Sequence, residues 1–288
     1  MKLLSVTRRS ALVLLAVSSL GLAGCENSGK TSAKHARVHA EFIAKAAVKD
    51  VGEVRKGLPA GATALEPLFK EAAPEAPAAV DAREELLRVR SKNNDLDSAK
   101  STFFLIAGID GSIIRNNLDE DDMAGKDLFS VYPASKEAVK KAYIEFVGEW
   151  DIARGVNGRP DAQWVASAQI KGPEGDPAGL LVAGWSWSSY AYRLEMALRS
   201  DILGETKEGE KVPLTYVYVI VGDQAYGAPV SPVVNGETIV KQKPLEKAKD
   251  GEIWSTPLEI TRRDFGLAVK KIPELGSNVA IAVLRSET

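Results

Sequence analysis

At residue 102 the spacing of apolar side chains changes from helical to extended, and this break separates what can be helix from what must be sheet. Before it, Val38, Phe42, Ile43, Ala46, Ala47 and Val51 recur at three and four residues, which predicts a helix over 35–56. Gly57-Leu58-Pro59-Ala60-Gly61 is expected to end that helix. A short helix is expected over 65–73, and a charged amphipathic one over 80–93 with Leu86, Leu87 and Val89 inward. After the break, 102–107 is aromatic and β-branched, Asp110-Gly111 is a tight-turn pair, and 112–116 returns. A second antiparallel pair, 163–171 and 179–187, flanks Gly172-Pro173-Glu174-Gly175-Asp176-Pro177. Between the pairs, Val139, Ala142, Tyr143 and Phe146 predict a helix over 134–149, and another is expected over 189–203. Further strands are expected over 216–221, 253–260, 266–271 and 278–284, with the turn pair Asn235-Gly236 inside 233–240. Antiparallel pairs with interspersed helices make an α+β fold. The expected divisions are a helical segment over 35–100, a sheet domain over 101–204, and a smaller β-rich lobe over 210–288.

The side chains restrict the chemistry further. The single Cys and both His, at positions 25, 35 and 39, precede all of the sheet. The body therefore lacks thiols, disulfides, imidazole bases and His-rich metal sites, and a Ser-His-Asp triad cannot be assembled there. No Ser is followed by Lys three residues later, so the local Ser-Lys signature is missing too. Neither catalysis nor a cofactor is expected. His35 and His39 stand four apart on the first helix, but with no third ligand they read as two exposed histidines on its polar flank. Asp95-Leu96-Asp97 opens like a calcium loop, yet Ala99 replaces a ligand and no Gly follows at the sixth position. Asp119-Glu120-Asp121-Asp122 reads as a solvated acidic loop. A formal charge of −2 gives no basic footprint for nucleic acid.

The N-terminus reads as an address. Lys2, Arg8 and Arg9 head an apolar stretch over 11–23, too short to span a bilayer and of signal-peptide length. It ends in Leu22-Ala23-Gly24-Cys25, which resembles the lipobox of bacterial lipoproteins. That resemblance implies a signal peptide over 1–24, a lipid on Cys25 and a flexible tether over 25–34. Thr7-Arg8-Arg9 is similar to a twin-arginine export motif, and a Sec signal is equally compatible. Cleavage before Cys25 removes Lys2, Arg8 and Arg9 and no acid, shifting the formal charge from −2 to −5. Glu26 after the Cys points to the inner leaflet of the outer membrane, by analogy with enteric bacteria. The run from Gly24 to Thr31 also fits G-x-x-x-x-G-K-[ST]. A basic head and thirteen apolar residues are not the short strand that feeds a P-loop, and cleavage would sever Gly24. An NTPase is not expected.

The stretch from Phe103 through Asp110-Gly111 to Asn117 resembles the opening of a Cache domain, the extracytoplasmic relative of PAS. Gly125-Lys126-Asp127-Leu128-Phe129 is similar to the segment by which such domains leave that hairpin, and 163–186 resembles their closing antiparallel pair. The resemblance implies N-terminal helices leading into a PAS/Cache-like sheet, with 210–288 as a possible second lobe of a double Cache arrangement. The Asp-Gly opening is not repeated there. The aromatic-Arg-aromatic pattern of amino-acid-binding members is absent as well, so the resemblance does not extend to that ligand. It implies a lipid-anchored, periplasm-facing sensor that binds a small molecule and passes its signal to a membrane partner. The other reading is a structural or interaction lipoprotein that uses the fold as a scaffold. The expected ligand site lies between the sheet and the segment from Asn117 to Gln163. Trp150 and Trp164 would supply aromatic walls, and Arg154 or Arg159 would clamp a carboxylate or phosphate. Alternating Trp185 and Trp187 also fit a purely structural role against a neighbouring helix, on one face of the sheet.

Overall fold

The computed structural model describes residues 22–71, 79–98, 102–153 and 161–287. Its organiser is helix α1 (Leu22–Ala64). Ala36, Ala40, Ile43, Ala47, Val51, Val54, Leu58 and Ala62 recur at three and four residues, and all are buried. The stripe is mostly alanine in its first half, which lets the backbone sit close to a sheet. Helices α2 (Glu66–Glu71), α3 (Ala79–Lys92) and α4 (Asn94–Ser98) fold back beside it.

The hairpin β1 (Phe103–Gly108) and β2 (Ile113–Asn116) follows. A one-turn helix α5 (Leu128–Val131) and a 3₁₀ turn (Pro133–Val139) lead to β3 (Tyr143–Gly148). Strands β4 (Gln163–Lys171) and β5 (Pro177–Ser186) complete a sheet ordered β2-β1-β5-β4-β3. Helix α6 (Trp187–Glu205) crosses to the second lobe. There β6 (Leu214–Val221), β7 (Gln224–Gly227), α7 (Val233–Lys241), α8 (Pro244–Lys247), β8 (Ile253–Ile260), β9 (Arg263–Lys271) and β10 (Val279–Ser286) build a second sheet. Its order, β7-β6-β10-β9-β8, repeats the first sheet strand for strand, with every pairing antiparallel. The α+β architecture with two lobes is as expected. One core runs between α1 and the inner faces of both sheets, and each outer face has a smaller cluster of its own.

Local expectations failed where tertiary packing outweighs local preference. Helix α1 runs through the segment expected to be a tether, burying Ser32 and Ala33. The backbone of residues 24–31 is thus helical rather than a phosphate-cradling loop. Pro59 lies inside α1, although a proline there forfeits a helical hydrogen bond. Gly57 and Gly61 do not break the helix but thin it. A Cβ on Gly61 would lie 2.9 Å from Leu96 and 3.0 Å from Leu181, so the bare backbone is what admits these neighbours. Leu87, expected inward, is 39% exposed on α3. The helix expected over 134–149 is instead a 3₁₀ turn and strand β3. Tyr143, Ile144, Phe146 and Val147 favour extended backbone. Paired with β4, the strand turns Ile144 and Phe146 to the outer cluster and Tyr143 to the inner one. Residues 233–241 form α7, with Asn235-Gly236 inside it rather than at a turn.

His39 was expected at the surface, and it is buried against β10. Arg285 Nη1 lies 3.1 Å from its Nε2, while His35 pairs with Glu287 at 2.8 Å. Burial first, then the Arg285 charge, lowers the His39 pKa to about 4; Asp201 and Glu287 oppose this and His35 adds to it. The unfolded chain therefore takes up this proton before the folded one. Stability present above pH about 6.5 is expected to fall as pH drops toward about 4. After solvent screening the loss is on the order of 1–2 kcal/mol. Urea unfolding across this range should show a flatter acid limb for His39→Gln than for wild type. Identical limbs would refute the assignment.

Candidate ligand-binding site

The first-lobe hairpin is set by its turn. Asp110 Oδ1 accepts the Ser112 amide at 3.0 Å and its hydroxyl at 2.6 Å. Gly111 has φ +92°, and the Phe129 ring stands where a Cβ would be, at 2.5 Å. The chain then runs back along β2: Ile113 donates to the Lys126 carbonyl, Gly125 donates to that of Ile113, and Asp127 caps α5. The acidic run is not a solvated loop throughout. Asp121 accepts the amides of Asn116, Met123 and Ala124 and pairs with Arg115 at 2.9 Å. Burial would raise its pKa, yet these bonds hold it below the usual carboxylate range.

This segment carries Tyr132 over the outer face of the sheet. Its ring stacks on Phe103 at 6.3 Å and meets Phe146 and Trp150 edge-on at 5.6 and 5.8 Å. Gly148 makes room, since a Cβ there would lie 2.5 Å from the Tyr132 ring. Gln163 is the hub. Its Oε1 accepts the Tyr132 hydroxyl and the Trp150 amide, both at 2.8 Å, and Nε2 faces the Trp150 carbonyl at 3.5 Å. Burial pushes the Tyr132 phenol far above its ordinary range, so it serves as a neutral donor. Trp150, 8% exposed, closes the box.

Of the four residues expected to form a site, Trp150 is in this box. Arg154 and Arg159 lie outside the described residues, between Ala153 and Asp161, as does most of the expected signal peptide. Trp164 is on the opposite face. Along β4, Trp164, Ala166 and Ala168 point toward α1, whereas Val165 joins the outer cluster. Trp164 stacks on Trp185 at 4.7 Å, and Trp185 on Tyr190 at 4.6 Å. The Tyr190 hydroxyl donates to Asp50, which also takes Arg193 at 2.6 Å. The cavity that Trp164 borders is a groove of about 210 Å³ between the lobes, bridged by Arg55 from Glu145 to the Glu274 carbonyl. Sequence reasoning missed Gln163 and Phe103 as parts of the box. Period-two alternation from Val165 places Gln163 on that face. Among the described residues, no three His, Cys, Asp or Glu side chains gather as a metal site, and no helix is long and apolar enough to cross a membrane.

No protein-family model matches the chain, and no curated protein matches it. Solved structures do. The ligand-binding domain of the Campylobacter jejuni chemoreceptor Tlp3, in complex with 4-methylisoleucine, has a TM-score of 0.53 at 10% identity, covering 90% of this chain and 92% of that one. The sensory domain of the same receptor with isoleucine bound gives 0.52 at 11%, covering 89% and 93%. An extracellular ligand binding receptor from Desulfohalobium retbaense gives 0.53 at 10%, covering 88% of this chain and 40% of that one. The long helix followed by two antiparallel five-stranded sheets is thus a two-lobed, Cache-like α+β fold.

Proposed function

We propose that this chain is a lipid-anchored sensor of the cell envelope that faces the periplasm, binds a small molecule under Trp150, and signals by contact with a membrane partner. The observation that carries the reading is the box on the outer face of the first sheet. There a buried amide, Gln163, spends its hydrogen bonds on the very segment that covers it. A ligand that takes over those bonds moves Trp150, and the segment continues directly into Arg154 and Arg159. A carboxylate or phosphate on the ligand would meet one of these guanidiniums through a forked, charge-assisted bond. The chain performs no chemistry of its own and needs no cofactor.

Calorimetric titration of the best hit from a thermal-shift metabolite screen tests the proposal, because a binder stabilises the fold by linkage. Loss of the engaged Arg, as Arg154→Ala or Arg159→Ala, should weaken binding by about 1.5–3 kcal/mol with little loss of stability. Trp150→Ala should weaken binding and also destabilise, because an indole fills space. Unchanged binding in all three variants would place the site elsewhere. The box is filled by its own rings, and this favours the alternative of a structural or interaction lipoprotein. A broad screen without a hit would decide for that alternative.

Anchorage is tested separately. Cys25→Ser should abolish metabolic labelling by a fatty-acid analogue and release the protein from membranes, since stable attachment needs more than one acyl chain. Labelling equal to wild type would rule out the lipobox and, with it, attachment to the outer membrane's inner leaflet.

A further inference from the structure

The second lobe repeats the topology of the first, but its covering segment does not close on the sheet. Between the β6–β7 hairpin and α7 lies a cleft of about 680 Å³. Tyr218 and Ala225, on the outer face of the sheet, form one wall, and Pro232, Val233 and Val240 the other, whereas Tyr226 borders the cleft but turns its ring to the inner core. Two glycines shape it. A Cβ on Gly227 would stand 2.5 Å from the Tyr218 ring, whereas one on Gly236 would meet nothing closer than 3.5 Å. Ser231 lines this cleft at 3% exposure, and its Oγ, beside the Tyr218 hydroxyl, makes no hydrogen bond of ordinary geometry. The neighbouring Tyr218 hydroxyl donates to the Pro232 carbonyl at a long 3.4 Å. A buried hydroxyl without a well-made hydrogen bond is costly, and a polar ligand atom would relieve it.

The electrostatics select the sign of that ligand. Asp223 and Glu237 are exposed at the cleft, and neither makes an ion pair among the described residues. Lys241 is the one cation among the lining residues. An aromatic face and exposed carboxylates beside an apolar hollow attract an organic cation.

We propose that the cleft between β7 and α7 is a second binding site, independent of the Trp150 box, and that it takes a small organic cation: an ammonium group on an apolar body about the size of a benzene ring. The ammonium would lie toward Asp223 and Glu237, and the body would rest against Tyr218 and Ala225.

The test is calorimetric titration of the full-length protein in detergent micelles with phenethylamine, phenethyl alcohol and phenylacetate, three ligands of similar body and different charge. Phenethylamine should bind saturably, the alcohol about tenfold more weakly, and the acid not at all. The double variant Asp223→Asn/Glu237→Gln should lose about tenfold for the amine, keep the alcohol, and melt as wild type does, because both carboxylates are exposed and neither makes an ion pair among the described residues. Gly236→Leu should fill the cleft and abolish both; should it fail to fold, the charge variant decides. Trp150→Ala should bind the amine like wild type, which separates this site from the first-lobe box. The proposal fails if none of the three ligands binds, if charge makes no difference, or if phenylacetate binds best. It also fails if the double variant keeps wild-type affinity or if Trp150→Ala abolishes amine binding.

Discussion

Gly266→Ala should destabilise the protein by about 3 kcal/mol and lower its melting temperature by roughly 6–12 °C. Gly266 is in β9 where α1 crosses it. A Cβ there would lie 2.0 Å from the Ala33 nitrogen, 2.1 Å from the Ser32 carbonyl carbon and 2.3 Å from the Ala33 Cα. These are main-chain atoms of a helix and cannot rotate away, so α1 must lift or the strand must bend. Gly184 makes the contrast. A Cβ there would lie 2.1 Å from Phe103, but the obstacle is a ring that can tilt. Gly184→Ala should therefore cost less than Gly266→Ala. Hydrogen exchange would locate the damage, with protection lost in the first half of α1 and across β8 to β10 while the first lobe keeps its own. A melting temperature within about 2 °C of wild type would mean that α1 is not seated on β9 as described.

The same contact shows why parts of this fold were legible and others were not. The hairpin at Asp110-Gly111 and the connection over 172–177 are written in local turn chemistry, and both strand pairs follow from period-two patterning. Helix α1 is decided by long-range packing. Gly57, Pro59 and Gly61 look like a stop signal, but at two of these positions the missing side chain admits Leu96 and Leu181. Tyr143 and Phe146 fit a helical spacing by coincidence, and their partners on β4 lie some twenty residues away. The repeat of strand order was hidden because the second lobe turns on Gly222-Asp223, the reverse of the first lobe's Asp110-Gly111, with Gly222 at φ +59°. The site divides in the same way. Trp150 was expected on the covering segment and lies there, facing Phe103 beside Tyr132. Trp164 was assigned to that side by closeness in sequence. Strand alternation sends it to the other face and leaves its neighbour Gln163 in the box.

Trp164→Ala should be the costlier of the two tryptophan truncations, at about 3–5 kcal/mol. Trp164 is 2% exposed and opens a stack of three rings, in register with Trp185 across the strand pair. Trp185 lies nearly parallel to Tyr190, at 5°, and Tyr190 is fixed through its hydroxyl to Asp50. Removing the first ring leaves a cavity between β4 and α1 that the rigid helix cannot fill. Trp185 then loses its stacking partner, worth a further ~0.5–1.5 kcal/mol beyond area burial. Trp150→Ala should cost less, on the order of 2–3 kcal/mol, because its ring lies at the edge of the outer cluster and solvent can enter the vacated space. The order should reverse in ligand affinity. Trp150→Ala should weaken binding in the first lobe directly, whereas Trp164→Ala, studied where it remains folded, should leave the dissociation constant near wild type. Trp164→Phe keeps a ring in the stack and should recover about half of the lost stability. Urea unfolding and calorimetry on the three variants give both numbers. If Trp164→Ala weakened binding as much as Trp150→Ala at small cost in stability, Trp164 would belong to the ligand site after all, and the inner face of the sheet would have to open to admit it.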